Sequence, residues 1–170
     1  MPNDFPIHMI LTGGTISKTY NPATEKPEMD EAPIVRDYIT EIIRPHRNIT
    51  SERVCLKDSM DLTDDDRKNI TAAISNASVK HILVIHGTST MEVTAEYLKE
   101  QLGPIDKTIV ITGAMIPLKE FAMSDAGFNL GYALAQAQAL EPGIYVCMNA
   151  HTFKAGSVTK NHAEARFEAV

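Results

Sequence analysis

The chain has no tryptophan and only two cysteines, and aromatic residues fill 6% of its 170 positions. Two cysteines exclude a disulfide-stapled scaffold. Cys55 and Cys147 lie in apolar, strand-like runs, where a reduced thiol packs as a small buried hydrophobe. No apolar run approaches the roughly 18 residues that a membrane-spanning helix requires, so no membrane partner is expected. Basic charge is scarce as well. Lys and Arg number 16 against 22 Asp and Glu, a formal net charge of -6, which argues against a nucleic-acid partner. The opening Met1-Pro2-Asn3-Asp4 lacks the basic and apolar segments of a secretory signal, and the expected location is cytoplasmic. Metal motifs are missing too. The histidines include neither His-Glu-x-x-His nor a Cys/His cluster with zinc spacing. The acidic residues from Asp58 to Asp66 lack the glycine and distal Glu of a calcium loop. No metal and no cofactor are expected.

What is present is an alternation of two periodicities. Ile7 to Leu11, Arg53 to Lys57, His81 to Ile85, Lys107 to Ile111 and Gly143 to Met148 read as strands. Ala32 to Ile43, a helix opened by Thr63, Glu92 to Leu102 and Ser124 to Leu140 read as helices between them. Thr63 with Asp66 three residues on resembles a capping box, and Asp64, Asp65 and Asp66 suit the positive end of a helix dipole. Ser17 to Asp30, broken by Pro22 and Pro27, reads as a long polar loop able to act as a lid. His151 to Val170 reads as a hairpin or an extended arm. There is no internal repeat and no linker. The pattern predicts one α/β domain over residues 1–170, an open and mainly parallel sheet with helices on both faces, flavodoxin-like or Rossmann-like.

Parallel strands point their C-terminal ends one way. Thr12 and Thr15, Asp58 and Ser59, Thr88 and Ser89, and Thr112 are thus expected to converge on one rim, where such sheets bind ligands. The turn Thr12-Gly13-Gly14-Thr15 has glycines for close backbone approach and N–H groups for an anion or oxyanion. No Gly-Lys-Ser/Thr follows, so it is not a phosphate loop. His86-Gly87-Thr88-Ser89-Thr90-Met91 crowds hydroxyls between a strand and a helix. Its plain reading is a helix N-terminus capped by Ser89 or Thr90, with His86 packed. A rival reading is a serine-esterase elbow at Ser89, although Met91 stands where that motif needs a small residue. Lys160 has significance only if a hydroxyl needs a desolvated base.

Five blocks carry a resemblance to one family. They are Thr12-Gly13-Gly14-Thr15-Ile16-Ser17, His86-Gly87-Thr88-Ser89-Thr90-Met91-Glu92, Thr112-Gly113-Ala114-Met115-Ile116-Pro117, Ser124-Asp125-Ala126-Gly127-Phe128-Asn129-Leu130 and Val158-Thr159-Lys160. In that order they resemble the bacterial-type L-asparaginases, which implies hydrolysis of L-asparagine to L-aspartate and ammonia. The resemblance implies catalytic roles for Thr15 as nucleophile, Tyr20 as its activator, and Thr88 paired with Lys160. It implies substrate-binding positions at Gly14, Asp58, Ser59, Met60, Ser89 and Ala114, with Ser59 on the α-carboxylate. Backbone N–H groups at Gly14-Thr15 and Gly87-Thr88 are the expected oxyanion donors.

Two departures from the family pattern stand out. Ser89 replaces an aspartate, and Met60 a glutamine. Typical members also continue into a second, smaller domain that supplies an acidic group to a neighbouring subunit's site. The length here resembles the short single-domain form, corresponding to the family's N-terminal domain, and a homodimer or homotetramer is expected. An amidase for glutamine or another amide, and a catalytically weak amino-acid-binding protein, are the alternatives.

Overall fold

The central strands are apolar on both faces, so they need cover on both. In the computed structural model, which describes residues 5–119 and 122–170, they receive it. Met1 to Asp4, read above for a signal, lie outside the described residues. The chain runs β1 (Ile7–Gly13), the hairpin β2 (Lys18–Asn21) and β3 (Lys26–Met29), and α1 (Val35–Asp37), which continues as a π-helical turn over Tyr38–Ile43. It goes on through β4 (Ile49–Lys57), α2 (Asp64–Asn76), β5 (His81–Ile85), α3 (Met91–Leu102), β6 (Thr108–Thr112), α4 (Ala126–Ala139) and β7 (Gly143–Met148). Three short strands close it: β8 (His151–Lys154), β9 (Val158–Asn161) and β10 (Arg166–Ala169).

Six strands form one sheet in the order β4-β1-β5-β6-β7-β8. Each neighbouring pair from β4 to β7 is parallel, and β8 returns antiparallel to β7. Alternation along each strand sorts the core. Ile82, Val84, Ile109, Ile111, Val146 and Met148 pack under α2, α3 and the β9–β10 hairpin. Leu83, Ile85, Val110 and Cys147 pack on the opposite face under α1 and α4. Each such side chain, fully buried, contributes about 1.5–3 kcal/mol, so a one-residue register slip would sacrifice both cores together.

Thr63 caps α2 as its sequence signature implies. Its hydroxyl accepts from the Asp66 N–H at 3.2 Å, and the Asp66 carboxylate accepts from the Thr63 N–H at 2.8 Å. That carboxylate also takes Lys57 at 2.7 Å, joining the end of β4 to the start of α2.

Three expectations need correction. β4 begins at Ile49, not Arg53. Its first half is polar because it is an edge strand, with Thr50 and Glu52 held by His8 at 2.8 and 2.9 Å. The Ser17–Asp30 segment is not an open loop but a hairpin, and Pro27 is tolerated because it lies on an edge. The last twenty residues hold the expected hairpin, β9–β10, but their first segment, β8, joins the main sheet as its sixth strand.

The two hairpins also share one construction. In each, an asparagine ends the first strand and accepts the N–H of the residue two on: Ala23 to Asn21 at 2.9 Å, Ala163 to Asn161 at 3.1 Å. Each asparagine amide donates to a glutamate on the returning strand, Glu28 at 2.7 Å and Glu168 at 3.2 Å. Each turn ends in a left-handed residue, Glu25 and Ala165. Tyr20 and Lys160 occupy equivalent places, each directly before its asparagine.

Candidate active site

From β1 the chain crosses to β4 on one side and returns to β5 on the other. The switch point therefore falls between β1 and β5, where an open α/β sheet forms its ligand crevice. Thr15 follows β1 and Thr88 follows β5, so both threonines stand at that crevice. The turns around them are stacked backbone to backbone. Gly14 has φ of 81°, and a Cβ there would run into the Gly87 backbone. A Cβ on Gly87 would lie 2.6 Å from the Ser59 Cβ. Glycine at both positions is what lets three turns from three strands meet.

Thr88 is buried, and its hydroxyl accepts a hydrogen bond from Lys160 Nζ at 2.8 Å. Burial lowers the Lys160 pKa, against the opposing pull of the Glu92 and Asp58 carboxylates. A desolvated amine on a threonine hydroxyl is an arrangement for moving a proton. Thr15 is half-buried in a short 3-10 turn over Thr15–Ser17, and no described residue hydrogen-bonds its hydroxyl. Tyr20 stands on β2 opposite Pro27, 43% exposed.

Ser59 is buried and tied to the Thr88 turn twice. Its Oγ accepts from the Ser89 N–H at 3.1 Å, and its carbonyl accepts from the Thr90 hydroxyl at 2.7 Å. Asp58 is held by Lys18 at 2.6 Å, which fastens the β2–β3 hairpin to this turn. Burial works to raise the Asp58 carboxyl, but the Lys18 ammonium and the Met60 and Ser59 N–H groups outweigh it and hold it below the usual range. Met60 points outward, 70% exposed, and Ala114 is wholly buried. Ser89 is half-buried beside Thr88.

Several readings change at this level. The Gly14 N–H already donates to the Lys57 carbonyl at 2.8 Å, so it is not an oxyanion donor. The Thr12 hydroxyl bonds the Ile85 carbonyl and the Thr112 hydroxyl the Cys147 carbonyl, each at 2.8 Å, so both stitch neighbouring strands and leave the rim. Thr90 is the N-cap of α3 by position, but its hydroxyl serves Ser59 and no side chain caps the helix. His86 is packed as expected. Burial drives its pKa down to about 4, so the ring is neutral at pH 7. Cys147 is buried but Cys55 only half so, its Sγ directed at the Thr12 carbonyl at 3.3 Å.

Three supports had no role assigned from sequence. Lys18 anchors the hairpin. Asp125 accepts the Met115 and Ile116 N–H groups at 3.0 and 2.9 Å and holds the turn after β6. Buried Asn129 donates to the Gly113 carbonyl at 3.1 Å and accepts the Asn149 N–H at 3.3 Å. The Ser-Asp pair before α4 is the local signal for Asp125; Lys18 and Asn129 act over long range and leave none.

An open α/β domain with a threonine on each side of its switch point, one of them bonded to a lysine, is thereby defined. The chain belongs to the asparaginase family: the model of the asparaginase N-terminal domain matches residues 6–169. It is 30% identical to a glutaminase-asparaginase of Acinetobacter glutaminasificans, over 89% of this chain and 48% of that protein. To the L-asparaginase of Thermococcus kodakarensis it is 31% identical, over 89% of this chain and 46% of the relative. The solved structure of the thermostable L-asparaginase from Thermococcus kodakarensis superposes with a TM-score of 0.83 at 26% identity, covering 97% of this chain and 51% of the other. The chain thus spans about half the length of the relatives it matches. Among the described residues, no helix is long and apolar enough to cross a membrane.

Proposed function

We propose that this chain is an amidohydrolase that converts L-asparagine to L-aspartate and ammonia in the cytoplasm. The observation that carries the reading is the Lys160–Thr88 bond of 2.8 Å across the crevice from Thr15. Family membership gives the chemistry its class. Thr15, activated by Tyr20 or by the Thr88–Lys160 pair, attacks the side-chain amide carbon. N–H groups of Thr15 and of the Gly87-Thr88 turn receive the developing oxyanion, since Gly14 is committed elsewhere. The leaving nitrogen takes a proton and departs as ammonia. Water activated at Thr88 then hydrolyses the acyl-enzyme. Ser59 receives the substrate α-carboxylate, and the β2–β3 hairpin covers the site with Tyr20. A neighbouring subunit of a homodimer or homotetramer completes the α-ammonium site. Gly14, Asp58 and Ala114 shape the pocket through backbone and support, whereas Met60 faces outward and contributes least.

Ser89 offers the α-ammonium a hydroxyl where the family pattern has a carboxylate, which weakens substrate binding. Thr15→Val tests the assignment. The expected result is loss of ammonia release from asparagine with an unchanged circular dichroism spectrum. Full activity in that variant would remove Thr15 from the mechanism. The second reading, glutamine as substrate, is favoured by the relative named as a glutaminase-asparaginase, and ammonia release from the two amides compared side by side separates them.

A further inference from the structure

Lys160 is unusually placed for a lysine. Its ammonium is half-buried, and among the described residues Thr88 is its one hydrogen-bond partner. A hydroxyl carries no charge to offset an ammonium withdrawn from water. The elements packed around it supply few candidates. On the turn after β4, the Asp58 carboxylate already belongs to Lys18 at 2.6 Å. Across the β9–β10 pair stands Phe167, which is apolar. On α3, Glu96 lies 3.8 Å from Lys99 and is 49% exposed. That leaves Glu92 in the first turn of α3, a helix that packs against β9. Glu92 has a property no exposed surface carboxylate shares: its Oε2 is sealed from solvent and has no hydrogen-bond partner. A buried carboxylate oxygen without a donor is costly unless a cation faces it. Of the two carboxylates that act on Lys160, Glu92 acts more strongly than Asp58.

We infer that Glu92 is the counter-charge of Lys160, a positioning residue that holds the lysine against Thr88 and sets the pH at which it can take the threonine's proton. The inference rests on the amidohydrolase reading for its catalytic meaning, though not for the pairing itself. In the acylation step Thr88 takes the proton of the attacking Thr15 hydroxyl while its own hydroxyl proton passes to the neutral Lys160 amine. The resulting ammonium is stabilised by Glu92 and later gives the proton to the leaving nitrogen. The sign of the pH effect follows. Removing the Glu92 charge makes ammonium less favourable, so Lys160 loses its proton at lower pH and the rising limb of the rate profile moves to lower pH.

The test is a titration of Lys160 by NMR in the chain labelled at lysine Cε, the resonance being assigned by its loss in Lys160→Met. Glu92→Gln is expected to move the midpoint to lower pH, and by more than Glu96→Gln, which removes an exposed charge one turn further on. Glu92→Asp, which keeps the charge on a shorter arm, is expected to fall between Glu92→Gln and the parent. It carries the test alone should Glu92→Gln fail to fold. A midpoint in Glu92→Gln no different from that in Glu96→Gln, or no movement in either Glu92 variant, would overturn the pairing. Ammonia release is measured on the same samples. A parent chain that releases none from asparagine or glutamine refutes the amidohydrolase reading, while the midpoints still decide the pairing.

Discussion

Replacing Asp66 by Asn isolates one charge at the joint between β4 and α2. Asparagine keeps the shape of the side chain and an oxygen for the Thr63 N–H, but it loses the attraction to Lys57. Hydrogen bonding from Lys57, then from the Thr63 N–H, lowers the Asp66 carboxyl from 3.8 to about 2, against a smaller contribution from burial. A shift of that size corresponds at most to about 2.5 kcal/mol. The Lys57 side chain is 39% exposed, however, so water screens the attraction and leaves about 1 kcal/mol for the Asp66 charge. For a chain of this length that lowers Tm by about 2–4 °C. The direction with pH is determined by which state binds protons first. A depressed carboxyl stabilises the fold above its unfolded pKa. As pH falls below about 5 the unfolded chain takes up the proton while the folded one resists, and near pH 2 the advantage is gone. Thermal unfolding of parent and Asp66→Asn, followed by circular dichroism at pH 7, 5, 3 and 2, should show a gap that is full at pH 7 and closes at the acid end. Equal Tm values at pH 7, or a gap undiminished at pH 2, would refute the reasoning.

Two other perturbations address the crevice. Ser89→Asp restores a carboxylate for the substrate ammonium. A charge-assisted contact of about 1.5–3 kcal/mol corresponds to a rise of about ten- to a hundredfold in kcat/KM for asparagine. A fall in that ratio would remove Ser89 from substrate binding. Gly14→Ala places a methyl in the Gly87 backbone at φ of 81°, so ammonia release is expected to collapse and urea unfolding to move to lower concentration. Retention of both by the variant would show that the turns are not packed as described.

Much of this fold was legible because the inner strands are continuous apolar runs. His81–Ile85 and Gly143–Met148 fall on their predicted bounds, and α2 announces itself through Thr63 and Asp66. The start of β4 was hidden because an edge strand needs only one apolar face, and Thr50, Ser51 and Glu52 read as loop. The first hairpin escaped for a related reason: it is short, polar and closed by an asparagine side chain rather than by an apolar pattern. Threonines at the rim were legible as a group, but not which of them the sheet would consume. Thr12 and Thr112 point at carbonyls of neighbouring strands, and strand order cannot be read from one sequence. Lys18 meets Asp58 across 40 positions of chain, a pairing no local pattern encodes.

The matched hairpins have a consequence for tolerance to change. In each, the asparagine pins the alignment of the two strands, and that alignment decides which way the preceding residue faces. The stretches between, Pro22 to Glu25 and His162 to Ala165, carry neither Tyr20 nor Lys160. Sequence drift can therefore accumulate at the tips of both arms without disturbing the crevice. Loss of Asn21 or Asn161 instead frees an arm to slide by one residue, and in the second arm that slide turns Lys160 away from Thr88.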